Sequence, residues 1–186
     1  MDISNTIALS RTGTAGLRQI AETPWFNALW FQATWFCAVL GRESLLPLTA
    51  GLILLHLALV QDRTRELRQI GLVALVGICI DAALSGLGLC NFAGNTVVPL
   101  WLCGLWLAFA TTLSRSLSFL ATRQVLAAVA GALVVPINYA VGARFGAVEL
   151  GYSSTGSFMI LALVWAILLP SLYLLVEQVH ERREKQ

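Results

Sequence analysis

Six apolar runs, each near the length of a bilayer-crossing helix, follow one another with little chain between them: 24–41, 44–60, 70–89, 98–114, 124–143 and 157–176. A helix needs about 20 mostly apolar residues to cross the hydrocarbon of a membrane. With 58% of its residues hydrophobic, 12% charged and a mean hydropathy of +0.77, the chain has too little polar surface for a water-soluble globule. The pattern predicts an all-α fold: a polytopic membrane protein built as a six-transmembrane-helix bundle. Pro24, Pro47 and Pro99 stand in the opening turns of three runs, where a missing backbone donor costs nothing.

The loops set an orientation. Of the 12 Lys and Arg residues, all but Arg42 and Arg144 fall in the terminal segments and alternate loops of one side. By the positive-inside bias both termini are expected in the cytoplasm. Three regions follow: an arm or interfacial segment at 1–23, the six-helix domain at 24–176 and a charged tail at 177–186 that continues the last helix. The arm lacks a small-residue cleavage site, so no processing is expected. Gly41-Arg42-Glu43-Ser44 leaves almost no loop, so the first two spans are expected to be adjacent and antiparallel. The net charge of +2 is accounted for by topology, which leaves no nucleic-acid footprint.

Within this frame the third run carries a carboxylate, Asp81, near the middle of its Gly71–Gly88 stretch. A charge at that depth costs about 2.5–3.5 kcal/mol on insertion scales and persists only where protein compensates it. At helical spacing Asp81 shares a line with Ala74, Gly77, Ser85 and Gly88, small residues that let a neighbouring helix approach closely. Asp81 therefore points into the bundle. Counting depth at about 1.5 Å per residue puts Trp35, Trp106 and Trp165 on the same level. Indole N–H groups there want acceptors, and Asp81 is the obvious one. Two readings stay open: a helix lock through hydrogen bonds to Trp106, Thr34 or Asn138, or a binding site for a cation, a proton or the polar part of a lipid-like ligand.

His56 lies too far from Asp81 in depth for a dyad and is matched instead with Ala74 or with Thr111 and Thr112. On the fifth run Pro136 frees the carbonyl of Ala132, and Asn138 and Tyr139 are placed to line a cavity with Asp81. Cys37, Cys79, Cys90 and Cys103 show no metal-ligand spacing and read as inert thiols. No phosphate loop, nucleophile elbow or histidine box is present, and no cofactor or metal is implied.

The motifs around Asn27, Trp35, His56, Asp81, Pro99-Leu100-Trp101, Leu105-Trp106, Phe109-Ala110-Thr111-Thr112-Leu113, Pro136, Tyr139 and Gly142 to Ala147 carry a family resemblance. The chain resembles, from Asn27 onward, a family of small bacterial inner-membrane proteins known as domain of unknown function twenty-eight seventy-eight. The resemblance implies a bacterial inner membrane and a neighbourhood of genes for fatty-acid modification, but no activity. The spacing of Gly77, Asp81 and Gly88 is also similar to the third helix of six-span substrate-binding subunits of vitamin transporters. The expectation is a non-enzymatic accessory or ligand-binding protein linked to membrane lipid modification. It uses Asp81, Trp106, Thr111, Thr112, Asn138, Tyr139, His56 and Trp35, with lipids or a membrane protein as partners. Transport or substrate capture by the same cavity is the second reading, and an integral membrane enzyme acting on lipids the third.

Overall fold

The computed structural model of the chain describes residues 16, 19–94 and 96–184. Most of the arm expected at 1–23 lies outside these residues. Four helical stretches are long and apolar enough to cross a membrane: Pro24–Leu59, Arg63–Gly86, Gln124–Arg144 and Ser154–Gln178. Leu100–Thr112 is apolar but shorter.

The first stretch is two helices. Helix α1 (Pro24–Phe36), capped by the Thr23 hydroxyl, winds on through a π-turn at Cys37–Gly41. Arg42 then takes φ 47° and ψ −128°, a conformation uncommon for a side-chain-bearing residue, and ends the helical path. A 3-10 turn, Arg42–Leu45, leads into α2 (Leu46–Leu59), with Pro47 in its opening turn. The remaining elements are α3 (Arg63–Gly86), β1 (Cys90–Phe92), α4 (Leu100–Thr112), a 3-10 turn (Ser118–Leu120), α5 (Gln124–Arg144), β2 (Val148–Leu150) and α6 (Ser154–Glu184). The last helix runs through most of the charged tail, as its helical charge spacing predicts.

Three features depart from the sequence expectation. First, α1 and α2 run antiparallel but do not pack along their lengths; both lie against α4. Asn27 near the start of α1 reaches Thr111 at the end of α4, while Thr49 near the start of α2 meets Gly104 near the start of α4. The short turn fixes direction, not side-by-side packing, and α4 fills the space between. Second, α3 begins at Arg63, seven residues before the apolar run, because only one face of its first two turns is buried. Third, the helices are joined by a small antiparallel ribbon in which Cys90 pairs with Leu150, Asn91 with Glu149 and Phe92 with Val148.

The ribbon lies where the α3–α4 and α5–α6 links meet, and this end of the bundle is called the ribbon end here. Arg42 Nη2 donates to the Phe145 carbonyl at 2.8 Å, tying the α1–α2 turn to the same place. A Cβ on Gly151 would overlap the Gly88 carbonyl, so the backbones approach there as only glycine allows. The opposite end, with the α2–α3 turn and the α4–α5 link, is called the basic end.

The core is built on close helix pairs. Helices α5 and α6 are packed most extensively, and a Cβ on Gly131 would overlap the Trp165 carbonyl. Helices α3 and α4 form the second pair, with the Trp106 ring against the bare Cα of Gly77. In a membrane, where apolar burial gives no net drive, such close van der Waals contact supplies much of the association.

Candidate functional site

Helices α1 and α5 do not pack on each other, and the space between them is a cleft of about 670 Å³. Its floor is α4, through Trp101, Leu105, Trp106 and Phe109, with Trp165 of α6 beside them. It extends from Phe119 and Leu126 near the basic end to Phe92 and Val148 at the ribbon. The volume is within the roughly 300–1,000 Å³ of small-molecule sites, and the lining is apolar and aromatic with few polar groups, as such sites are.

Two of those polar groups, Asp81 and Tyr139, meet midway along it. Asp81 is 1% exposed, on the face of α3 that also carries Gly77. The Trp106 indole donates to its Oδ2 at 2.7 Å, and the Tyr139 hydroxyl donates to its Oδ1 at 2.5 Å. Three helices, α3, α4 and α5, thus meet on one carboxyl group. Trp106 also stacks on Trp165, with ring centroids 5.4 Å apart and planes 4° from parallel, and Phe109 meets both rings edge-on. The glycine at position 77 makes this possible by letting the indole lie flat against α3. The Trp165 indole N–H is turned toward the Tyr139 oxygen, and among the described residues it has no other acceptor.

The other singled-out residues divide. Trp35, Thr112 and Asn138 line the same cleft, although Asn138 donates to the Val134 carbonyl at 2.9 Å and does not reach Asp81. Thr34 bonds to Trp30 within its own helix, so of the three donors first considered for Asp81 only Trp106 reaches it. Tyr139 is the second donor. Thr111 lies at the basic end and accepts from Asn27 Nδ2 at 3.1 Å. Pro136 stands inside α5 without ending it.

His56 belongs to a separate cluster. Its Nε2 is 2.8 Å from Glu66 Oε1, and Arg115 binds both Glu66 oxygens, at 2.8 and 3.0 Å. Next to it, Gln69 donates to the Ala110 carbonyl and to Ser114, and a polar recess of about 290 Å³ lies beside them. Neither Glu66 nor Gln69 stands out in the sequence, because 63–69 reads as a basic loop. The signal was present: Glu66, Ile70, Val73, Gly77 and Asp81 lie on one helical line, and all are buried. Asn27 likewise escapes pattern reading. It is 1% exposed, and its Oδ1 accepts from the Ser116 hydroxyl at 2.7 Å, fastening α1 to the α4–α5 link.

The four cysteines are free thiols, and among the described residues no group of His, Cys, Asp and Glu could hold a metal ion. Outside the spans, burial pushes the Cys90 thiol up to about 12.

Residues 24–171 match a family described as protein of unknown function (DUF2878). The chain belongs to that family. The match begins at the first residue of α1 and ends within α6, so the DUF2878 region includes the cleft, the Asp81 cluster, the Glu66 cluster and the ribbon. No curated protein and no solved structure matches the chain.

Proposed function

We propose that this DUF2878 protein is a non-enzymatic, ligand-binding protein of the bacterial inner membrane. It crosses six times, keeps both termini in the cytoplasm, and holds a lipid-like molecule in the cleft between α1 and α5. The observation that carries the reading is the cleft itself: an apolar, aromatic-walled space along the membrane-spanning helices with a carboxyl group and its two donors halfway along its wall. Asp81 itself is closed over, but the apolar cleft beside it is left unfilled by the protein, and unfilled apolar volume forfeits packing contacts. Here α3, α4 and α6 are drawn together around Asp81 while α1 stands off from α5. The six-crossing arrangement is supported by Arg42, which turns the chain between α1 and α2, and by the crowding of arginines at the basic end. The link to lipid modification rests on the family resemblance.

The test is retention of a ligand through purification. Native mass spectrometry of the protein released from detergent should show one bound lipid-like molecule per chain. Ala130→Phe, which places a ring in the cleft from α5, should lose it while keeping the helical circular-dichroism spectrum. Equal retention by wild type and variant would place the molecule elsewhere on the surface and defeat the reading. For the orientation, cysteines placed at Arg63 and at Glu149 should be labelled by an impermeant maleimide from opposite sides of the membrane.

A further inference from the structure

Two side chains of the cleft are out of keeping with its apolar walls. Gln32 of α1 and Asn138 of α5 both line it, both are exposed, and both belong to helical stretches long and apolar enough to cross a membrane. The Gln32 amide has no hydrogen-bond partner among the described residues. Asn138 spends one N–H on the Val134 carbonyl of its own helix, which leaves its second N–H and its oxygen open. In hydrocarbon no water answers such groups, and an amide without a partner is costly.

The two amides stand on opposite walls at nearly one height. Phe31, next to Gln32, packs on Phe109, whereas Tyr139, next to Asn138, meets Asp81 at the level of Trp106. Phe109 and Trp106 are about one turn apart on α4, so the amides differ in height by about one helical turn, midway along the cleft. The Trp35 indole N–H, one turn along α1 from Gln32, lines the same space and has no partner among the described residues either. Other polar groups of the lining are spent on protein: the Thr112 hydroxyl on the Phe109 carbonyl, the Ser116 hydroxyl on Asn27 and the Trp101 indole on the Ala93 carbonyl.

This set of open groups narrows the ligand. No Lys or Arg lines the cleft to hold an anion. The Asp81 carboxyl that a cation would seek is 1% exposed, with both oxygens taken by Trp106 and Tyr139. An amide is neutral and both donates and accepts, so a ligand that only accepts leaves the two amide oxygens unpaired. A hydroxyl is the smallest neutral group that gives one hydrogen bond and takes others.

Resting on the reading of the cleft as a ligand site, we infer that its occupant is a long apolar chain bearing a hydroxyl near its middle. Gln32 and Asn138 receive that hydroxyl between α1 and α5, away from both membrane surfaces, and the apolar lining toward either end takes the hydrocarbon on both sides of it.

Four probes of equal chain length test this on the full chain in lipid nanodiscs, with binding read from tryptophan emission: octadecan-9-ol, octadecan-9-one, octadecan-1-ol and octadecane. Octadecan-9-ol should bind at least about fivefold more tightly than octadecane, the gain of one net hydrogen bond. Octadecan-9-one, which only accepts, should fall between them, and octadecan-1-ol should fall well short of octadecan-9-ol. In Gln32→Leu/Asn138→Leu, octadecan-9-ol should lose most of its advantage while octadecane binds as before. Neither amide bonds to another helix, so this variant should keep the helical circular-dichroism spectrum. Should it not fold, the order of the probes on wild type decides alone.

An undiminished advantage in the double variant would overturn this inference and leave the cleft reading standing. So would a ketone or a terminal alcohol that binds wild type as tightly as octadecan-9-ol. No binding of any probe would defeat the cleft reading itself. Paired chains in the nanodisc, separated by the double substitution and excluding every probe while paired, would mean that the amides join two copies, and would overturn the inference as well.

Discussion

Adding one methyl group at Gly77 tests whether the Asp81 cluster depends on bare backbone. A Cβ there would overlap three atoms of the Trp106 ring, and a fused ring wedged between α3 and Trp165 cannot swing aside as a flexible chain end would. Overpacking of this kind costs about 1–3 kcal/mol. If the indole is displaced, its bond to Asp81 is lost, a loss of about 0.6–1.7 kcal/mol for an interhelical bond in a membrane. Its stacking on Trp165 is worth about 0.5–1.5 kcal/mol more. Gly77→Ala should therefore destabilise the protein by about 2–6 kcal/mol in reversible unfolding from mild detergent into dodecyl sulfate, followed by circular dichroism. Gly71 on the same helix has nothing among the described residues within 4 Å of its Cβ position. Gly71→Ala should be neutral or gain up to about 1 kcal/mol from helix propensity. The clash account makes a stricter demand still. In a Trp106→Ala background the Gly77→Ala cost should nearly disappear, because the overlapping ring is gone. An undiminished cost in that background would refute the reasoning.

Other perturbations probe the rest of the bundle. Glu66→Ala strips Arg115 and His56 of their shared carboxylate and should cost about 3–5 kcal/mol, as breaking a buried pair does, with much of it regained when Arg115→Ala is added; dodecyl-sulfate unfolding measures both. Asn27→Ala removes a buried amide that serves Thr111 and Ser116 and should loosen the basic end of α1. Hydrogen exchange should rise there while α6 stays protected. Cys90 is fully buried, with its thiol pushed up to about 12 by burial first and by Asp81 second. At pH 8 its thiolate is therefore scarce, and a membrane-permeant maleimide should leave it unlabelled until the protein is unfolded.

Much of the fold is readable along the chain. The prolines at positions 24, 47 and 99 mark helix starts, and the line of small residues through Gly77 marks the face that meets α4. Depth counting brings Asp81, Trp106 and Trp165 to one level because a helix advances by a constant rise, so residues on antiparallel neighbours can be matched. Hidden from such counting is rotation about each helix axis. It decides that Tyr139 meets Asp81 while Asn138, one residue earlier, turns back to Val134. The Glu66 cluster stayed hidden for a different reason. Hydropathy marks where a helix enters lipid, not where it begins, and α3 begins seven residues sooner, in a segment whose charges disguise a buried face. The ribbon is equally silent, since three-residue strands have no periodicity to detect.

The ribbon has a bearing on the order in which the molecule assembles. Its first strand is made directly after α3, but its second exists only after α4 and α5 have been synthesised. Cys90, Asn91 and Phe92 must wait through two further helices for Leu150, Glu149 and Val148. Pairings so distant along a chain are slow to form, because loop-closure entropy is lost before contacts compensate it. The ribbon therefore works as a late clasp. Until it closes, the first three helices form an unfinished half, and the Gly88–Gly151 contact registers that the second half has arrived in the correct alignment.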